Sequence, residues 1–131
     1  MSIINPNKYI NKLSLIETQI ALKIVKDSFE KKLSEALNLT RVSAPLFVEV
    51  GSGLNDNLNG VEMPVSFHLS KLNKDVEIVQ SLAKWKRYAL NKYSFPVGMG
   101  IYTDMNAIRA EEETDNIHSI YVDQWDWEKV I

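Results

Sequence analysis

Residues 14–37, SLIETQIALKIVKDSFEKKLSEAL, constrain the fold more than any other stretch. Ile16, Ile20, Val25, Phe29, Leu33 and Leu37 recur at helical spacing with lysines and glutamates between them, which predicts one long amphipathic helix. Ser14 and Glu17 fit the S-x-x-E capping box, in which each side chain satisfies an orphan amide at the helix start. The apolar stripe is read as a core face rather than a partner-binding face. Pro6 lies outside this helix, and Pro45 fixes an extended segment after it.

Beyond the helix the period changes. TRVSAPLFVEV is β-branched and apolar, and GSGLNDNLNGVEM is turn chemistry, with Asn59-Gly60 suited to a tight hairpin. VSFHLS and VEIVQSLA, separated by KLNKD, read as another hairpin. AKWKRYALNKY is compatible with a helix carrying Trp85, Tyr88 and Leu90 on one side. The rest, from GMGIYTDMNAI to YVDQWDWEKV, reads as strand, polar loop, strand. Helix first and paired strands afterwards, without βαβ alternation, predicts an α+β fold with a mainly antiparallel sheet. The 131 residues suit a single domain.

Composition excludes several classes. A formal net charge of −2 disfavours nucleic-acid and polybasic membrane binding. The lack of cysteine removes disulfides, thiolate catalysis and Cys-type zinc sites. No run approaches the ~20 apolar residues of a membrane span, and MSIINPNKYINK lacks a signal peptide's apolar stretch, so the cytoplasm is the expected compartment.

Four constellations bear chemistry. Along the last strand Ile120, Val122, Gln124 and Asp126 share one face, and Tyr121, Asp123, Trp125 and Trp127 share the other. A carboxylate on the apolar face needs a cation, either an internal Lys or Arg or a ligand ammonium. In KWKR, Lys84, Lys86 and Arg87 surround Trp85; the set is either a solvated basic turn or a source of those cations. Arg109, with Glu111 two residues on, sits at the lip of the polar loop as an anion anchor or a surface ion pair. GSGLNDNLNG has the wrong glycine spacing for a phosphate loop, although Asp56 within it can reach a ligand. His68 and His118 have no ligand cluster around them, so no zinc site is expected, and no metal ligand is assigned within the chain.

Taken together, LTRVSAPLFVEVGSGLNDNLNGVE, VQSLAKWKRYAL, GMGIYTDMNAIRAEEE and HSIYVDQWDWEKV resemble the aspartate–ammonia ligase (ammonia-dependent asparagine synthetase) family, with SLAKWKR and YVDQWDWE the most specific strings. The resemblance covers nearly the whole chain but only the front of the longer family members. It implies an incomplete class II aminoacyl-tRNA synthetase-like catalytic core, with an antiparallel sheet flanked by helices, acting as a homodimer. It also implies ATP-dependent ligation of ammonia to L-aspartate through a β-aspartyl-adenylate, with ATP as substrate and Mg²⁺ on its phosphates. Arg109 and Lys86 are the implied catalytic residues, and Arg109 with Glu111 the implied ATP-binding pair. Asp56, Lys86, Arg87, Gln124 and Asp126 are the implied aspartate-binding residues. On this reading Trp125 and Trp127 pack against helices beyond the segment, and residues 1–131 are the N-terminal part of a catalytic domain, inactive alone. The alternative is a non-catalytic split or degenerate paralogue that keeps dimerisation or amino-acid binding.

Overall fold

A computed structural model describes residues 10–131; Pro6 lies outside the described residues. Helix α1 runs Leu15–Leu37. Its capping box forms as expected: Glu17 N–H donates to Ser14 Oγ at 3.2 Å and Ser14 N–H to Glu17 Oε2 at 2.8 Å. That bond holds the exposed Glu17 carboxyl below its usual range. At the other end Asn38, in the left-handed region at φ 58°, donates its N–H to Ser34 O and stops the helix.

The remaining elements are β1 (Leu39–Arg41), β2 (Phe47–Glu49), β3 (Ser66–Leu69), β4 (Lys74–Ile78), α2 (Ala83–Lys92), β5 (Gly100–Ile108) and β6 (Tyr121–Lys129). They form two three-stranded sheets, ordered β1-β5-β6 and β2-β4-β3. β1 runs parallel to β5, while β5–β6, β2–β4 and β3–β4 are antiparallel. The α+β expectation therefore stands, with two sheets instead of one and one parallel pairing. The β3–β4 hairpin and the strand–loop–strand of β5–β6 form where the sequence indicates. Asn59-Gly60 does form a turn, with Gly60 at φ 88° and its N–H on Asn57 O. It does not close a hairpin, because β4 lies between the strands it connects.

The β5–β6 register places Ile101, Thr103, Met105 and Ala107 opposite Glu128, Asp126, Gln124 and Val122. Paired residues share a face, and this one meets α2. Val79, Leu82, Trp85, Ala89 and Leu90 close the core over Ile101, Met105 and Ala107. Tyr88, expected on the packed side of α2, is exposed, because the buried side runs through Trp85, Lys86, Ala89 and Leu90.

The opposite face of the sheet meets α1. Phe29 stacks on Trp125 at 5.5 Å between centroids, Lys26 pairs with Asp123 at 2.9 Å, and Tyr102 donates to Glu30 at 2.6 Å. Trp125 thus packs on a helix within the chain, while Trp127 stays half-exposed. The expectation that the α1 stripe is a core face holds only for its C-terminal half, where Phe29 stacks on Trp125 and Leu33 and Leu37 are half-buried. No residue of α1 is buried, and Ile16 is 74% exposed, Val25 63% and Phe29 50%. The helix touches the sheet through only a few side chains, so no layer among the described residues covers the stripe from Ile16 to Val25.

Candidate functional site

The α2 sequence places a charge where apolar side chains belong. Lys86 lies on the face that carries Trp85, Ala89 and Leu90, and it is fully buried. A buried ammonium without a counter-charge costs several kcal/mol, so the core must supply one. It does: Lys86 Nζ forms an ion pair with Asp126 Oδ2 from β6. Asp126 keeps a third of its side chain exposed, and its Oδ1 accepts from Trp127 N–H at 2.9 Å. One residue pair along, Gln124 Nε2 meets only the Met105 thioether at 3.4 Å, a weak acceptor that leaves most of the amide's capacity free. Arg87 reaches Glu128 at 3.3 Å but is 71% exposed, so that pair contributes little. KWKR is helical, not a turn; Lys84 and Arg87 are solvated as that reading expects, and Lys86 is not.

A second group lies at the β5–β6 mouth. Arg109 N–H continues the ladder to Ile120 O at 2.8 Å, which fixes its backbone beside the strand end. Its guanidinium stands 3.8 Å from Glu112 Oε2, with both side chains about three-quarters buried. Arg109 Nε and Glu62 Oε2 are buried without a hydrogen-bond partner among the described residues. Both line a cavity of about 330 Å³ together with Leu58, Asn59, Glu111, Glu112 and Glu113. Glu111 closes one side of it by accepting Met63 N–H at 3.1 Å. This joins the hairpin mouth to the loop after Asp56. One donor of the arginine fork, Nε, is left to a ligand oxygen, but four glutamates share the lining with that single cation, so a phosphate would enter this cavity only with its own counter-cations.

Asp56 lies in the loop before that turn, where its Oδ1 accepts Leu58 N–H at 3.3 Å. Neither this bond nor the Arg109 pair reaches Lys86 or Asp126. Three side chains bearing on these groups were not legible as site residues: Asn55, Glu62 and Gln80. Asn55 and Gln80 are 4% and 0% exposed, and both amide atoms of Gln80 lack a partner among the described residues. Gln80 sits between the apolar Val79 and the Ser-Leu pair before α2, and only its polarity in that setting hinted at it.

Among the described residues no group of three or more His, Cys, Asp or Glu side chains is arranged to hold a metal ion. His68 and His118 each pair with one aspartate, Asp75 and Asp115, at 2.7 and 2.9 Å. Glu62, Glu111, Glu112 and Glu113 line the cavity without converging as a ligand group, so the described residues do not fit a protein-held Mg²⁺.

With that geometry in view, comparison with known proteins is decisive. The family model of aspartate–ammonia ligase matches residues 16–131. This chain belongs to the aspartate–ammonia ligase family. An aspartate–ammonia ligase of Clostridium perfringens (strain SM101 / Type A) is 63% identical over 127 residues, covering 96% of this chain and 38% of that protein. The ligase of Limosilactobacillus fermentum is 58% identical over the whole chain and 39% of its own length. That of Fusobacterium nucleatum subsp. nucleatum is 65% identical over 94% of the chain and 37% of its own length. The chain thus spans under two-fifths of the curated ligases it matches.

Proposed function

We propose that this chain is the N-terminal part of the catalytic domain of an ATP-dependent ligase that joins ammonia to L-aspartate and forms L-asparagine, AMP and pyrophosphate. The observation that carries the reading is a fully buried lysine paired with a part-exposed aspartate, in a chain about 60% identical to aspartate–ammonia ligases. A cation beside a carboxylate suits a zwitterionic amino acid. Asp126, with Asp56, suits its α-ammonium, and Lys86 suits a carboxylate; Gln124 offers both donor and acceptor, and Arg87 stands at the exposed rim. The fold that suits this chemistry is a mainly antiparallel class II synthetase-like core, completed by chain outside the segment.

Chemically, a side-chain carboxylate oxygen of aspartate attacks the α-phosphorus of ATP, and the bond to pyrophosphate breaks. Ammonia then adds to the activated carbonyl carbon, AMP leaves with the former carboxylate oxygen, and a proton is lost from nitrogen. Arg109 neutralises the α-phosphate as the nucleophile arrives, and Glu111 anchors the nucleotide side of the cavity. Mg²⁺ would shield the outer phosphates; no step here depends on it. The exposed α1 stripe supports a homodimer, since Ile16, Ile20, Val25 and Phe29 are all half-exposed or more. The segment alone is expected to be inactive. Among the described residues no helix is long and apolar enough to cross a membrane.

The test is AMP formation by the complete ligase carrying this segment, fed ATP, ammonia and aspartate labelled with ¹⁸O in its side-chain carboxylate. The label should appear in AMP, and Arg109→Ala should reduce AMP formation by about 10²-fold or more. Label in inorganic phosphate would refute the adenylate. Near-normal turnover in the variant would remove Arg109 from the mechanism.

A further inference from the structure

Asp56 and Lys86 stand 30 positions apart on separate elements, yet a shared substrate requires their spacing to be set within fractions of an ångström. The physical link between them is Asn55. Its side chain Nδ2 donates to Ile78 O at 3.1 Å, and its Oδ1 accepts Gln80 N–H at 2.9 Å. In extended chain the carbonyl of one residue and the N–H two residues on point to the same side. Asn55 therefore pairs with the β4 extension as the peptide group of a neighbouring strand would. It does so where the preceding partner runs out: Ile78 N–H still bonds Val65 O, just ahead of β3. Asn55 takes over the next two positions and is 4% exposed while doing so.

We propose that Asn55 is a positioning residue, a clamp that holds the Asp56 loop against the β4–α2 junction and so sets Asp56 relative to Lys86. The inference rests on the ligase reading above. Asp56 follows Asn55 directly in the chain. Gln80, whose N–H is gripped, leads through Leu82 into the first turn of α2, where Lys86 N–H bonds Leu82 O at 2.8 Å. The side-chain amide of Gln80 is fully buried with neither atom partnered among the described residues. Left free, the junction would turn that amide toward water, because an unpaired buried amide is strongly disfavoured. The clamp opposes this turn, and the arrangement is held before any substrate arrives. Sequence around the position hides the role: in GLNDNLNG, Asn55 reads as one more turn residue.

Two variants of the complete ligase test the clamp. Asn55→Ala removes both bonds. Asn55→Asp is isosteric: it keeps the acceptor for Gln80 N–H and sets an oxygen against the Ile78 carbonyl. In both, KM for aspartate should rise about tenfold while KM for ATP stays within about twofold. If Asn55→Ala does not fold, Asn55→Asp decides. Equal increases in both KM values, or a lowered melting temperature with both unchanged, would make Asn55 merely structural and overturn the proposal. If the wild-type ligase forms no AMP from aspartate, the ligase reading itself fails. If the wild type is active and the variants leave aspartate KM alone, only the clamp fails.

Discussion

At the scale of single residues, the molecule places ionisable groups where elements meet and lets each settle against one partner. Tyr102 shows the consequence most sharply. It is 7% exposed, its hydroxyl donates to Glu30 across the α1–sheet contact, and burial followed by that carboxylate pushes its pKa from 10.0 up to about 12. Between pH 10 and 12 the folded chain keeps a proton that the unfolded chain has lost, so stability falls as pH rises through that window. The loss should total about 3 kcal/mol. Titration of the tyrosinate absorbance should reveal one tyrosine ionising near pH 12, absent from Tyr102→Phe; ionisation of every tyrosine near pH 10 would contradict the contact. Asp104 shifts the other way, because the Arg41 guanidinium at 2.8 Å holds its carboxyl below the usual range. Its contribution is present at neutral pH and disappears as pH falls through that lowered pKa, and being nearly half-exposed the pair adds little.

Elements were legible wherever local chemistry alone decides them. The Ser14–Glu17 box, the KLNKD turn and the apolar periods of β5 and β6 each act within a few residues, and the structure follows them. Legibility stopped where partners come from far along the chain. Nothing in LTRV says that β1 will run parallel to β5, and no local pattern tells a covered helix stripe from an uncovered one. The middle strand carries its own constraint. A Cβ at Gly100 would overlap the Glu128 carbonyl and lie 2.8 Å from both Leu39 Cδ2 and Lys129 Cα. Gly100→Ala should therefore push β1 and β6 apart and destabilise the protein by about 2 kcal/mol, read as a lowered denaturation midpoint. An unchanged midpoint would mean that the sheet is looser there than described.

At the scale of the whole molecule, site and fold are two uses of the same charges. Lys86 occupies core volume between Trp85 and Ala89 and at the same time holds the charge proposed to meet aspartate. Its position was not deducible from the KWKR string, because burial of the second lysine and exposure of the first depend on which side of α2 meets β5. The pairing with Lys86 accounts for Asp126 on the β6 face that meets α2. The proposed aspartate site would account for such a pair in a core, since replacing it with apolar groups would often leave a protein as stable or more so.

That difference between stability and function supplies the most direct test. Lys86→Met in the complete ligase preserves side-chain volume and leaves Asp126 able to reach water. Steady-state kinetics should show kcat/KM for aspartate falling about 100-fold or more, KM for ATP within about twofold, and a melting temperature close to wild type. Undiminished use of aspartate, or equal loss toward both substrates, would contradict the assignment of Lys86 and Asp126 to the amino-acid site.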